Sequence, residues 1–147
     1  MRTESRNFRT TQNRMRDFFS NKRWTDKAKF ELLSLPENTL GFALGSFLVT
    51  QRIDAPPENH DAVRVLTNTG TSTTAEIGLQ YYLLGNGSRN PQLFLSLIVG
   101  TLLRPMQLDY FLTQYQKGKA AHYFHYLDFS AMLTVPVDTI RQTFKIS

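Results

Sequence analysis

Four side chains between positions 59 and 76 have types that could do chemistry. His60 stands beside Asp61, Arg64 follows the histidine by four positions, and Glu76 comes twelve positions later. A neutral imidazole and carboxylate oxygens are donors for a divalent, zinc-like cation. Residues at i and i+4 share a helix face, so His60 and Arg64 look the same way if residues 58–67 are helical. A second helix starting near Ser72 could bring Glu76 in from the opposite side. Glu76 also has a structural reading, because Thr73-x-x-Glu76 matches the capping box, in which the glutamate reaches back to the cap backbone N–H.

His122 and His125 form a second spacing of interest, inside His122-Tyr123-Phe124-His125-Tyr126. Asp128 is the nearest acid that could join them at a metal, and the stretch reads more readily as aromatic packing or a partner surface. The chain has no nucleophile–base constellation, P-loop or dinucleotide fingerprint.

The elements that must position these residues are helical. The spacing predicts a short amphipathic helix over residues 11–20, carrying Met15, Phe18 and Phe19. A second is expected over Asp26–Leu33, with Phe30, Leu33 and Trp24 on its apolar side. Leu35-Pro36-Glu37-Asn38 is a turn, since the residue before proline is pushed out of the α region. From Thr39 the pattern Leu40, Ala43, Leu44, Phe47, Leu48 marks one helical face. Gly41 and Gly45 lie on another stripe, where they admit either a neighbouring backbone or a ligand such as a lipid tail. Helices are expected over residues 58–67 and from Ser72 or Thr73 to Leu84, the latter stopped by Gly85-Asn86-Gly87. Pro91–Leu103 is apolar nearly all round and is expected to be the buried centre. Pro105 kinks that helix or starts another ending at Gly118, and residues 119–128 and 136–144 are two further helices. Strand-like alternation is scarce. The expected fold is all-α, a single-domain bundle of about seven to eight helices over residues 24–147, preceded by a basic arm at 1–23.

Bulk properties narrow the function. The chain has 147 residues, enough for one domain with a real core. It has no cysteine, which removes disulfides and thiolate metal sites. The apolar run at 93–103 is shorter than the ~20 residues a spanning helix needs, and no secretory segment is expected. Residues 1–23 hold seven Lys/Arg against Glu4 and Asp17, so the whole net charge of +5 sits in that arm. Such an arm suits an anionic membrane surface or weak nucleic-acid binding through phosphates, and reads equally as a frayed, solvated terminus; an organellar transit peptide ranks below these. A cytoplasmic or peripheral membrane location is expected.

Several motifs in order resemble one family. His60-Asp61-x-x-Arg64-x11-Glu76 looks like the His-Asp-x-x-His-x11-Glu metal signature of the coenzyme Q (ubiquinone) biosynthesis protein 4 family. Leu35-Pro36-Glu37-x-Thr39-Leu40-Gly41, Ala75-Glu76-Ile77-Gly78-Leu79, Gly118-Lys119-Ala120 and Val135-Pro136-Val137-x-x-Ile140-Arg141 resemble its other conserved runs. The resemblance implies a helical protein of ubiquinone biosynthesis that handles a prenylated quinone precursor or isoprenoid lipid. It implies membrane association, a biosynthetic complex as partner, and metal-dependent oxidative removal of a ring carboxyl group. A homo-oligomer is read instead from the aromatic stretch between Tyr110 and Tyr126 as a self-association surface. His60, Asp61 and Glu76 then stand at metal-ligand positions.

This chain departs from the family twice. The segment before the His-Asp pair is short, and the second histidine is Arg64. Guanidinium has no lone pair to give and stays protonated. A +1 and a +2 charge about 5 Å apart repel by roughly 6–7 kcal/mol at an effective dielectric near 20. Half of that weakens metal affinity by more than about a hundredfold. Arg64 is therefore expected to place its own charge where the cation would sit, with Asp61 and Glu76 as partners. Two alternatives remain open at this point. One is a three-ligand site with Arg64 turned toward a substrate carboxylate. The other is a non-catalytic helical scaffold in which the motif is a structural relic.

Overall fold

The computed structural model describes residues 26–55 and 57–147. The expected helix at residues 11–20, the basic arm and Trp24 lie outside them. Among the described residues the fold is all-α, with seven α-helices and two 3-10 turns, and the only pairing of extended backbone is an isolated bridge between Thr39 and Pro136. The chain divides into two units. One takes the described residues up to Val65 together with Asp128–Val137, and the other takes Leu66–Leu127 with Asp138–Ser147.

The first unit contains α1 (Asp26–Leu33), α2 (Leu40–Thr50) and α3 (Asn59–Leu66) as far as Val65. Thr39 starts α2, its hydroxyl accepting from the Phe42 N–H at 3.4 Å while bonding the Pro36 carbonyl at 2.7 Å. A helix N-terminus leaves N–H groups without intrahelical partners. Here the returning segment supplies them, since Leu40 N–H donates to Val135 O at 2.9 Å and Gly41 N–H to Leu133 O at 2.8 Å. Leu32, Leu44, Leu48 and Leu133 form the core, with Leu35, Phe47, Ile53 and Val65 against it. The expected α1 face is corrected. Leu32 is the buried residue and Phe30 is 73% exposed, because the missing side chain of Gly45 opens room for the stem of Leu32. α2 ends with Arg52 at φ 53°, donating to Val49 O while Ile53 donates to Leu48 O. That is the left-handed C-terminal cap usually given to glycine.

The second unit is built on α4 (Thr73–Gly85), which packs on α5 (Pro91–Leu103) and α6 (Leu108–Ala120); a 3-10 turn (Pro105–Gln107) joins the last two. α7 (Val137–Phe144) falls here from Asp138 on. α4 and α6 cross tightly because Gly85 lies on the Tyr115 backbone and Gly118 on the Tyr82 carbonyl. Tyr81 stacks on Phe111 at 5.3 Å and bonds Thr101 of α5 at 2.6 Å.

Two expectations are overturned in this unit. First, α4, not α5, is the buried centre. α4 buries Ala75, Ile77, Gly78, Leu79 and Tyr82, whereas α5 buries only Leu93, Leu97 and Gly100. A helix apolar all round need not be surrounded; among the described residues α5 has a neighbour along one stripe only. Second, residues 121–128 are not helical. The buried side chain of Asn86 takes their backbone groups instead. Its Nδ2 donates to Gly118 O and His122 O, and its Oδ1 accepts from Phe124 N–H at 2.9 Å and His125 N–H at 3.0 Å. Those groups are satisfied without an i to i−4 ladder, so nothing drives helix formation.

Candidate functional site

His60, Asp61 and Arg64 sit on α3 in the first unit, and Glu76 sits in the first turn of α4 in the second. The i, i+4 spacing works as expected, since Arg64 Nη2 lies 3.2 Å from His60 Nε2. A guanidinium can only donate, so Nε2 is the acceptor and the ring proton is on Nδ1. The lone pair that would bind a metal is thereby engaged by Arg64. The half-buried imidazole is held below its ordinary pKa, chiefly by burial and then by the Arg64 charge, against smaller pulls from Asp61 and Glu58. His60 is thus a neutral acceptor at physiological pH. Burial also lowers the Arg64 pKa, with Asp61 pulling the other way.

The carboxylates have local duties. Asp61 Oδ2 accepts the Glu58 N–H at 2.9 Å, which is the reach-back of a capping box at the start of α3. Asn59 Oδ1 accepts the Phe129 N–H at 2.8 Å and so ties α3 to the returning segment. α4 is capped by Ser72, whose hydroxyl accepts from Ala75 N–H. Glu76 therefore lies one position past the capping-box place, and its Oε1 accepts from Gln80 Nε2 at 3.0 Å.

The donor set does not fit a resident divalent metal. One ring nitrogen is engaged and a fixed cation stands beside it. The described residues contain no group of three His, Asp or Glu side chains placed to hold an ion. His125 serves the backbone, with its Nδ1 donating to Asn86 O at 2.8 Å, while His122 is exposed. The aromatic stretch is divided in the same way. Phe124 is fully buried between Tyr82 and Phe144, and Tyr123 and Tyr126 face solvent. Both candidate lipid-cleft glycines meet protein: Gly41 packs on Leu35 and Leu133, and Gly45 on Leu32 and Leu33.

Sequence reasoning missed two features of the second unit. One is a cleft of about 280 Å³ between the loop at Thr67–Gly70 and Tyr110, Gln114 and Lys117 of α6. Burial pushes the Tyr110 hydroxyl pKa up. The cleft joins segments forty residues apart, and no local pattern signals it. The other is the uncovered outer face of α5, for which a strand-free apolar run of thirteen residues gave the opposite expectation.

No family model matches the chain, and no curated protein sequence matches it. Its fold is similar to a crystal structure from Nostoc punctiforme of a protein provisionally named for ubiquinone biosynthesis. That likeness has a TM-score of 0.65 at 20% identity, and covers 81% of this chain and 68% of the other. At that identity the likeness is one of fold.

Proposed function

We propose that this protein is a divergent relative of the coenzyme Q biosynthesis protein 4 family that binds a prenylated quinone precursor or another isoprenoid lipid, without a divalent metal at His60. The observation that carries the metal-free part is the 3.2 Å hydrogen bond from Arg64 to His60 Nε2. It gives the Arg64 substitution a physical role, in which a fixed cation replaces an exchangeable one. The ligand class rests on the ordered motifs from Leu35 to Arg141 and on the fold shared with the Nostoc protein. Oxidative ring decarboxylation of the family type has no complete donor set to support it here.

A second reading is a non-catalytic helical interaction protein in which the motif survives as structure. The filling of the Gly41 and Gly45 faces by leucines favours it. Elemental analysis of wild type beside Arg64→His, with titration of a short-chain prenylated benzoquinone, separates the readings. Wild type is expected to carry little metal and to bind the quinone saturably, and the variant to take up more metal. About one tightly held divalent ion per wild-type chain would sink the metal-free part. Failure of wild type to bind the quinone would leave the interaction reading standing.

A further inference from the structure

The side of α5 turned away from α4 is an exposed apolar ridge among the described residues. Leu93, Leu97 and Gly100 face the protein, and Gly100 packs on Ile77. Phe94, Leu95, Ile98, Val99, Leu102 and Leu103 face out, with Leu95 at 64%, Ile98 at 60% and Leu102 at 76% exposure. Helical geometry puts these six on one continuous arc. The ridge runs on into Met106, 91% exposed, and Leu108 at the start of α6. No residue of α5 is charged, and Gln92 and Ser96 lie at the edge of the arc. A solvated helix carries its polar residues on this side, so the pattern is inverted.

The charges at the ends of the ridge indicate what covers it. Between Glu76 and Asp109 the chain has no carboxylate, and its only charged side chains there are Arg89, just before α5, and Arg104, just after it. Both are exposed. An apolar ridge with a cation at each end matches the boundary between acyl chains and anionic headgroups. It matches a second copy of this chain poorly. Twofold pairing of α5 with itself sets arginine near arginine whether the helices run parallel or antiparallel, with no carboxylate of this stretch to offset it. A strip about 20 Å long and 10 Å wide is also small beside the roughly 800 Å² per partner of a stable interface. None of the described helices is long and apolar enough to cross a membrane.

We infer that the outer face of α5 and the following turn form a membrane-docking surface that lies flat in the headgroup region of an anionic bilayer, with Arg89 and Arg104 on lipid phosphates. This surface is independent of the ligand the protein carries and distinct from the basic arm.

The test is flotation of the full chain with phosphatidylcholine vesicles, with and without about a third of phosphatidylglycerol. Wild type, Ile98→Glu/Leu102→Glu and the milder Leu95→Ala/Leu102→Ala are compared, each checked by circular dichroism. The same comparison is repeated in a background with Arg2, Arg6, Arg9, Arg14 and Arg16 changed to glutamine. Wild type is expected to float with the anionic vesicles. The glutamate variant should lose at least about tenfold in partitioning and the alanine variant less, in both backgrounds. Equal flotation of wild type and the glutamate variant would overturn the inference, placing the contact elsewhere. So would a wild type that fails to float, and a wild-type dimer made monomeric by the glutamate pair would assign the ridge to a second copy.

Discussion

A single buried amide shapes the end of the second unit. Asn86 is fully buried, and its side chain makes four hydrogen bonds to the backbone at Gly118, His122, Phe124 and His125. Asn86→Ala leaves several buried polar groups without partners, each costing ~1–3 kcal/mol, partly offset by water entry. A loss of about 3–5 kcal/mol is expected in urea unfolding, and a loss below about 1 kcal/mol would show that water replaces the amide freely. His60 shows the same logic at lower stakes, with its ring nitrogen spent on Arg64. The i, i+4 placement of that pair is visible in the sequence. The role of Asn86 is not, because its partners lie more than thirty positions away and an Asn between two glycines reads simply as a helix stop.

Glycines decide how closely the helices of the second unit approach. A Cβ at Gly118 would drive into the Tyr82 carbonyl and lie 3.1 Å from Asn86 N. Backbone cannot yield as a side chain can, so Gly118→Ala is expected to cost about 2–4 kcal/mol despite the better helix propensity of alanine. Gly70→Ala is the control, since its nearest neighbour would be the Ala75 Cβ at 3.8 Å; it should stay within ~0.5 kcal/mol. Thermal unfolding of both variants checks the contrast, and equal midpoints would refute the close-approach account. Periodicity and caps located α2, α4 and α5 within a residue or two. They did not show which side of α5 had a neighbour.

For the molecule as a whole, burial sets an alkaline limit. Tyr82 is 1% exposed, and burial pushes its phenol pKa up to about 12 from 10.0. The folded pKa is raised, so the neutral phenol is favoured in the native state. Its contribution is intact below pH 10 and is lost as pH rises toward 12, because the unfolded chain ionises first. The hydroxyl has no hydrogen-bond partner among the described residues. Tyr82→Phe is therefore expected to be neutral or stabilising by up to ~1 kcal/mol at pH 7. The variant should also unfold less readily than wild type between pH 10 and 12, and coincident stability curves across that range would refute the assignment.

The sequence by itself determined the all-α class, the order and bounds of most helices, the turn at Leu35–Asn38 and the shared helix face of His60 and position 64. These follow from short-range rules: apolar spacing along one helix, caps, proline and glycine. Tertiary structure alone decided that α4 is the centre of the second unit, that residues 121–128 hang on Asn86, that Leu32 replaces Phe30 in the core of the first, and that α5 is left bare on one side among the described residues. Each depends on which groups meet across long stretches of chain. A run such as Pro91–Leu103 looks the same whether protein, lipid or water lies beyond it. Only the placement of its neighbours tells these apart.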